Sequence, residues 1–215
     1  MKKYIAEFIG TFALVFCGTG AAIINEVTQG EVSHVGVAVT FGLIVMVMIN
    51  SIGDISGAHM NPAVTIAFAV NKNFKWAHVL PYLISQAAGA FAASFILKYL
   101  FPSSVFLGAT VPAGAPMQSF ILEIILSFFL MLVILQVATG SKEQGLLAGI
   151  TIGSVVLLEA MFAGPISGAS MNPVRSLAPA IAGSHTKDLW IYLSAPFIGA
   201  LLGVLFYQLI KNKNG

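Results

Sequence analysis

A nine-residue motif occurs twice in this chain, and it constrains the fold more than any other feature. Residues 56–64 read Ser-Gly-Ala-His-Met-Asn-Pro-Ala-Val, and residues 167–175 read Ser-Gly-Ala-Ser-Met-Asn-Pro-Val-Arg. Both copies contain Ser-Gly-Ala and Met-Asn-Pro, and the second contains the only arginine of the chain. The repeat predicts one domain over residues 1–215 that is built from two related halves, approximately 1–110 and 111–215.

The composition places both copies in a membrane protein. Only 8% of the 215 residues are charged and 58% are hydrophobic, whereas soluble domains carry about 25% charged residues. The net charge of +2 is small and scattered, so we expect no nucleic-acid partner. Cys17 is the only cysteine, which excludes an intramolecular disulfide and indicates a small packing residue.

Six apolar runs are each long enough to cross the bilayer core, which takes about 17 to 25 residues. Each half of the chain holds three of them, and an odd number of crossings reverses the direction of entry, so the second half is inverted relative to the first. The predicted fold is therefore an all-α integral membrane protein with inverted repeats. The runs are 4–25, 33–52, 76–97, 117–138, 145–163 and 188–210.

Both motifs precede apolar runs that are about half the length of a crossing, 63–70 and 174–182. Asn61 and Asn172 are preferred N-cap residues, and Pro62 and Pro173 follow at the first helical position, where a missing N–H costs nothing. These patterns predict two re-entrant half-helices. The backbone before each cap must line a water-filled cavity, because unpaired N–H and C=O groups cannot face lipid.

The asparagines and the arginine suggest what such a cavity does. An N-cap asparagine that accepts from its own helix still has an NH₂ group to donate to a passing hydroxyl oxygen. The positive ends of both half-helix dipoles point at the same place, which disfavours cations. Arg175, about one turn beyond Asn172, adds a permanent charge that is expensive at this depth unless it meets water or carbonyls.

The lysines predict the orientation of the chain. Lys98 and Lys187 fall on one side of the membrane, and the other seven fall on the opposite side, so both termini are predicted to be cytoplasmic. Those seven are Lys2, Lys3, Lys72, Lys75, Lys142, Lys211 and Lys213.

The two motifs, their spacing, the six spans and the pair Glu7 and Glu123 resemble the aquaporin and aquaglyceroporin superfamily, the major intrinsic proteins. The stretches 37–69 and 162–178 are similar, more narrowly, to the plant nodulin-like intrinsic proteins and their bacterial relatives. The resemblance implies a homotetramer in the plasma membrane (the inner membrane of a bacterium), surrounded by lipid, with one pore per subunit. It also implies that Asn61-Pro62-Ala63 and Asn172-Pro173-Val174 meet in that pore.

The resemblance places the narrowest point of the pore at four residues, Phe41, Ala160, Ala169 and Arg175. Water-specific members have a histidine where this chain has Ala160, so the constriction is expected to be wider and more apolar. Val174 departs from the alanine that usually ends the motif. The implied function is a passive channel for water and small uncharged solutes such as glycerol, with neutral metalloid hydroxides such as arsenous or boric acid as further candidates.

Two other function classes are weighed against this one. A water-specific channel is the nearer alternative, and an ion-coupled secondary transporter is less favoured because intramembrane charges are few and the half-helices are short and capped. The sequence contains no nucleophile and base pair, metal-ligand set or phosphate-binding loop, so we expect neither an enzyme nor a bound metal or cofactor.

Several buried polar residues have alternative roles. Glu7 lies near the start of the first span and Glu123 near the start of the fourth, so the first span belongs to the repeat and is not expected to be a cleaved signal peptide. The resemblance implies that both glutamates accept hydrogen bonds from the re-entrant loops. The alternative is that they carry protons or sodium ions. The carbonyl of His59 is expected to line the pore, against a purely packing role. Glu159 is either a structural carboxyl bonded to a neighbour or an acceptor that positions Arg175 or ligand hydroxyls. Glycine pairs 149/153 and 199/203 are expected to pack within the subunit.

Overall fold

The computed structural model describes residues 1–211 and shows helices without strands over that range. A 3-10 turn, Trp76–His78, leads into the fourth helix. The α-helices in chain order are α1 (Lys2–Val27), α2 (Ser33–Ser56), α3 (Pro62–Val70), α4 (Val79–Leu100), α5 (Pro116–Ala138), α6 (Lys142–Leu146), α7 (Ala148–Ser167), α8 (Pro173–Gly183) and α9 (Leu189–Ile210).

Six of these helices, α1, α2, α4, α5, α7 and α9, are long and apolar enough to cross a membrane, which confirms the predicted number of spans. The predicted fifth span, 145–163, differs from the observed helix, because α7 covers Ala148–Ser167. Ser141 and Gln144 form a capping box, with Gln144 N donating to Ser141 Oγ and Ser141 N donating to Gln144 Oε1. This box starts α6 as a separate turn before the span.

Both motifs begin at the last residue of a membrane-spanning helix. Gly57 follows α2 and Gly168 follows α7, and both have φ of 84°. The N–H of Gly57 donates to the Gly53 carbonyl, and the N–H of Gly168 donates to the Gly164 carbonyl. Glycine takes this left-handed conformation without a Cβ penalty, so the Ser-Gly pair of each motif ends its helix and turns the chain back into the membrane.

Helices α3 and α8 are the predicted half-helices, with 9 and 11 residues. At 1.5 Å per residue they are about 14 and 17 Å long, roughly half of the ~30 Å hydrocarbon core. Helix α3 packs on α9 and α4, whereas α8 packs on α4 and α9, and the two half-helices also contact each other. Each half-helix is therefore held within the bundle, and most of its residues are buried.

The two halves pack in the same way. Helix α1 packs on α4 as α5 packs on α9, and α2 packs on α7 across the centre. A Cβ on Gly89 would lie 2.3 Å from the Phe8 carbonyl oxygen, and a Cβ on Gly199 would lie 2.2 Å from the Ile124 carbonyl oxygen. These glycines occupy corresponding crossings, where the absence of a side chain lets two backbones touch.

Gly153 and Gly203, which belong to the predicted pairs 149/153 and 199/203, also lie at contacts between helices of this chain. A Cβ on Gly153 would lie 2.6 Å from the Gly42 carbonyl oxygen in α2. A Cβ on Gly203 would lie 2.9 Å from the Phe128 carbonyl oxygen in α5. The prediction that these glycines pack within the subunit is confirmed.

A proline inside α7 leaves one carbonyl without its helical partner, and a histidine from α2 fills the gap. Pro165 has no N–H to donate to the Met161 carbonyl four residues earlier. The His34 Nε2 atom lies 2.7 Å from that oxygen. Gly164 leaves room for the ring, because a Cβ there would lie 2.8 Å from His34 Cε1. The end of α7 next to the second motif is thus tied to the start of α2.

The outward faces of the long helices carry large apolar side chains that are more than half exposed. A surface of this kind, on helices long enough to span the bilayer, identifies an integral membrane protein. Examples are Leu80, Ile84, Leu158, Phe162 and Leu205.

We predict that Gly199→Ala lowers the free energy of unfolding by about 3 kcal/mol, because its new methyl group would overlap a backbone oxygen that cannot move aside. Gly53→Ala is the matched control, since a Cβ there meets nothing within 4 Å; it should be neutral or stabilise α2 by about 0.5–1 kcal/mol. Thermal unfolding of both variants in detergent checks this. Equal stability of the two variants would contradict the close crossing of α5 and α9.

Candidate functional site

The half-helices begin at the two motif asparagines. Asn61 has extended φ and ψ, and its Oδ1 accepts from Ala63 N at 2.9 Å. Asn172 has the same geometry, and its Oδ1 accepts from Val174 N at 3.2 Å and from Arg175 N at 3.4 Å. Each side chain therefore satisfies N–H groups that the first turn of a helix leaves free.

The same two asparagines also link the repeats to each other. Asn61 Nδ2 donates to the Met171 carbonyl at 2.7 Å, and Asn172 Nδ2 donates to the Met60 carbonyl at 2.7 Å. An amide NH₂ has two protons, so one proton of each asparagine is used in this crossed pair and one remains. The sequence alone predicts that the whole NH₂ group is free to donate to passing solutes, and nothing in it indicates this link between the repeats.

The residues before the caps have an unusual backbone. Ala58 and Met60 have φ of 48°, and their counterparts Ala169 and Met171 have φ of 42° and 53°. Non-glycine residues with positive φ each cost of the order of 1–3 kcal/mol and persist only where surrounding contacts hold them. The structure supplies such contacts through two buried carboxylates.

Glu7 in α1 holds the first loop. Its Oε1 accepts from His59 N at 2.9 Å and from Ser56 Oγ at 2.8 Å, and its Oε2 accepts from Met60 N at 2.8 Å and from Gln86 Nε2 at 2.7 Å. The carboxylate is fully buried. Four donors thus surround one carboxylate, and two of them are backbone N–H groups of the re-entrant loop.

Glu123 in α5 holds the second loop in the same way. Its Oε1 accepts from Ser170 N at 2.9 Å and from Ser167 Oγ at 2.7 Å, and its Oε2 accepts from Met171 N at 2.8 Å. This carboxylate is also fully buried. Both loops are therefore fixed by a glutamate near the start of the first long helix of their own half.

Two tyrosines support the loops from the last long helix of each half. Tyr82 OH donates to the Ser56 carbonyl at 2.8 Å, and Tyr192 OH donates to the Ser167 carbonyl at 2.7 Å. Both tyrosines are almost fully buried. Sequence reasoning missed this pair, although a tyrosine at corresponding positions of the two halves could have indicated it.

A further side-chain bond braces each loop against its half-helix. In the first half, His59 Nδ1 lies 3.1 Å from Thr65 Oγ1. In the second, Ser170 Oγ lies 2.5 Å from Ser176 Oγ, which also accepts from Thr110 Oγ1 at 2.7 Å. The hydroxyls at 65 and 176 stand four residues after their asparagines, which was a usable sequence signal.

The two loops border a cavity of ≈ 490 Å³. It begins at the membrane side where α2 and α5 end, beside Asp54 and Leu146, and passes both asparagines. Beyond them it reaches the four residues singled out by the resemblance, which form what we call the constriction set: Phe41, Ala160, Ala169 and Arg175.

Arg175 is the charged member of the constriction set. It is 5% exposed, and one of its guanidinium nitrogens donates to the Gly108 carbonyl at 2.9 Å. The guanidinium carbon lies 4.8 Å from the centre of the Phe41 ring, a cation–π distance. The charge therefore meets a carbonyl, an aromatic face and the cavity, which are the surroundings that a buried arginine requires.

His59 lies in the wall of the cavity, and its ring packs in an aromatic cluster. It stacks on Phe68 at 4.8 Å between ring centres and meets Phe74 at 4.9 Å and Tyr82 at 5.3 Å. His59 therefore both packs against other aromatic rings and lines the cavity, two roles that are alternatives in the sequence-based prediction.

Val174 and Ala63 follow their asparagine-proline pairs but face different surroundings. Val174 is 5% exposed and belongs to a buried apolar cluster with Val15 of α1 and Ala90 and Ala93 of α4. It is absent from the residues that line the cavity within the described part of the chain. Ala63 is buried in the central apolar cluster. The valine of the second motif therefore fills a helix–helix contact.

Glu159 is buried beside the constriction set, at 8% exposure. Its Oε2 has no hydrogen-bond partner among residues 1–211. That oxygen forms neither a structural bond to a neighbour nor a bond to Arg175, and the role of Glu159 as an acceptor for ligand hydroxyls stays a prediction. In the same range, no three His, Cys, Asp or Glu side chains lie together as a metal site would require.

Comparison with known proteins places this geometry in a family. The sequence profile described as major intrinsic protein matches residues 1–207. Aquaporin NIP6-1 of Arabidopsis thaliana is 48% identical over 98% of this chain and 69% of its own length. Aquaporin NIP1-1 of Oryza sativa subsp. japonica is 45% identical over 100% of this chain and 76% of its own length.

A solved structure agrees with these sequence relatives. The aquaglyceroporin from Plasmodium falciparum superimposes with a TM-score of 0.87 and 27% identity, over 97% of this chain and 96% of that one. The inverted-repeat arrangement of six spans and two half-helices is therefore shared with an aquaglyceroporin.

We predict that Val174→Ala lowers the free energy of unfolding by about 1.5 kcal/mol, at ~0.8 kcal/mol per buried methyl group, and leaves the ratio of glycerol to water permeability unchanged. Val156→Ala is the matched control, because Val156 is also buried but lines the cavity; it should change the ratio. Unfolding in detergent and flux in proteoliposomes measure the two effects. A changed ratio in the Val174 variant would place its side chain in the pore.

Proposed function

The chain belongs to the major intrinsic protein family, and we propose that the cavity described above is its conducting pore, with the crossed asparagines at its centre and the constriction set as its filter. The protein is a membrane channel for water and small solutes. The observation that carries the assignment of the pore is that a single cavity touches Asn61, Asn172 and all four members of the constriction set.

The asparagines act as donors to the permeating molecule. Each keeps one amide proton beyond its bond to the opposite loop, and each lies at the positive end of a half-helix. A water or hydroxyl oxygen at the centre accepts these protons. A cation meets two positive helix ends and the Arg175 charge instead, so it is excluded while neutral solutes pass.

The constriction set selects solutes by width and by edge chemistry. Ala160 and Ala169 contribute only methyl groups, which leaves space and an apolar wall for a carbon backbone. Arg175 supplies N–H donors beyond the one bonded to Gly108. A solute with hydroxyls along one edge and C–H groups along the other fits this arrangement, and glycerol is such a solute.

Neutral trihydroxy acids fit the same chemistry. Arsenous acid and boric acid are small, uncharged and rich in hydroxyl groups, so the donors and the space that admit glycerol also suit them. We include them as candidate solutes of this pore. The water-specific alternative requires a narrower and more polar filter than two alanines provide.

The proposal includes assembly and orientation. A homotetramer in a plasma membrane, with one pore per subunit, is the assembly and location that the family resemblance implies, and the exposed apolar helix faces support a location in lipid. Six of the described lysines lie at the side where α1 begins and α9 ends, against Lys98 and Lys187 at the other, which supports cytoplasmic termini. Lys213 lies outside the described residues. In this proposal the chain conducts solutes and catalyses no reaction.

Stopped-flow light scattering of proteoliposomes tests the function. Water, glycerol, urea and arsenous acid are run in parallel against empty liposomes, with and without an ion gradient. We expect glycerol and water flux without saturation and without dependence on the gradient. Glycerol exclusion with rapid water flux would favour the water-specific alternative, and gradient-driven flux would favour a transporter.

We predict that Ala160→His lowers glycerol permeability by tenfold or more, about 1.4 kcal/mol of added barrier, with a much smaller effect on water. The imidazole would occupy the space of the solute, whereas water is smaller and can bond with the ring. Ala160→Ser is the control, because it adds polarity without a ring and should keep glycerol flux. Equal losses of water and glycerol in the histidine variant would remove Ala160 from the filter.

We predict that Arg175→Val admits larger solutes or cations, whereas Arg175→Lys keeps cations excluded. Valine removes both the charge and the guanidinium edge, and lysine retains a charge without the planar fork. Ion conductance and the uptake of solutes larger than glycerol measure the two properties separately. If the valine variant still excludes cations, the half-helix dipoles alone are responsible for cation exclusion, and the Arg175 charge is not needed for it.

A further inference from the structure

The ring of Phe41 lies in a notch on α1 that exists because residue 18 is glycine. A Cβ at Gly18 would lie 2.2 Å from Phe41 Cε1, 2.5 Å from Cδ1 and 2.6 Å from Cζ. The three atoms nearest to such a Cβ thus all belong to the Phe41 ring. Phe41 itself is 8% exposed and lines the cavity on its other side.

The space at this contact leaves no room for a methyl group. Carbon atoms in contact are about 3.5–4.0 Å apart, so a side chain at position 18 would force the ring to move by roughly 1.3 Å or more, the difference between 3.5 and 2.2 Å. Away from α1 the ring meets the cavity and the Arg175 guanidinium, 4.8 Å from its centre. The displaced ring therefore moves into the pore or toward the arginine.

The other glycines of α1 do not have this relation to the constriction set. A Cβ at Gly20 would meet Leu97 Cδ2 at an ordinary 3.4 Å. A Cβ at Gly10 would meet the flexible ends of Ile52 and Met60. Gly18 is the one glycine of this helix that touches a residue of the constriction set.

We infer that Gly18 is a positioning residue that determines how far the Phe41 ring reaches into the constriction and thereby the largest solute that the channel admits. The inference rests on the proposed assignment of Phe41 to the filter. It adds to the filter a position on α1, a helix that contributes no side chain to the constriction set.

The experiment compares Gly18→Ala with Gly20→Ala in proteoliposomes, with water and glycerol as the two permeants. We expect Gly18→Ala to lower glycerol permeability by about tenfold, equivalent to about 1.4 kcal/mol of barrier, and to change water permeability much less. Gly20→Ala adds the same methyl group two residues further along the same helix and should leave both permeabilities unchanged. An unchanged ratio in the Gly18 variant would overturn the inference.

A second pair of variants separates a narrowed pore from a general distortion of α1. Phe41→Val removes all three ring atoms that a Cβ at position 18 would meet, so Gly18→Ala should have no effect on the glycerol-to-water ratio in that background. This non-additivity is the signature of direct contact. If Gly18→Ala lowers the ratio equally in both backgrounds, the effect does not pass through the ring and the inference fails.

The same variants distinguish this inference from the proposed function. If Phe41→Val alone leaves the solute range unchanged, Phe41 is not in the filter and the proposed function fails at that residue. If Phe41→Val widens the range but Gly18→Ala has no effect, only the inference fails. Should Gly18→Ala give no folded channel, recovery of folded protein in the Gly18→Ala, Phe41→Val double variant supports the contact, and failure of the double variant overturns it.

Discussion

Both halves of this protein depend on one electrostatic arrangement, a buried carboxylate that binds the backbone of a re-entrant loop. Where a chain turns back inside a membrane, its backbone N–H groups lose their hydrogen bonds to bulk water. Each N–H group that stays unpaired there costs several kcal/mol. Glu7 and Glu123 accept hydrogen bonds from those N–H groups and thereby also hold loop residues at positive φ. The half-helices, their caps and the cavity follow from this support, because without it neither loop could remain at mid-membrane.

Local patterns in the sequence were sufficient for much of the fold. Six apolar runs gave the spans, and the Asn-Pro pairs gave the starts of both half-helices, because capping depends on residues that are adjacent in the chain. Boundaries were less accurate where a short-range motif competed with hydropathy. The capping box at Ser141 made α6 a separate turn, and α2 and α7 continue beyond their predicted ends to Ser56 and Ser167, where Gly57 and Gly168 terminate them.

Contacts between the halves were beyond local patterns. The bonds from Asn61 and Asn172 to the opposite loops join residues more than 100 positions apart, and no periodicity encodes them. The tie from His34 to the carbonyl left free by Pro165 is likewise visible only when α2 and α7 are side by side. Such pairings depend on which helices meet, so the structure supplies what the sequence alone could not.

The differences between the two motif copies locate the proposed selectivity. Identical residues, Ser-Gly-Ala and Met-Asn-Pro, build the same helix end, loop and cap in both halves. The three positions that differ, residues 59, 63 and 64 and their counterparts 170, 174 and 175, face different surroundings. Val64 adds an apolar side chain to the lining of the cavity, whereas its counterpart Arg175 adds a charge. The duplicated backbone thus supplies a cavity that both halves share, and in the proposed pore the Arg175 side chain makes the two ends chemically distinct.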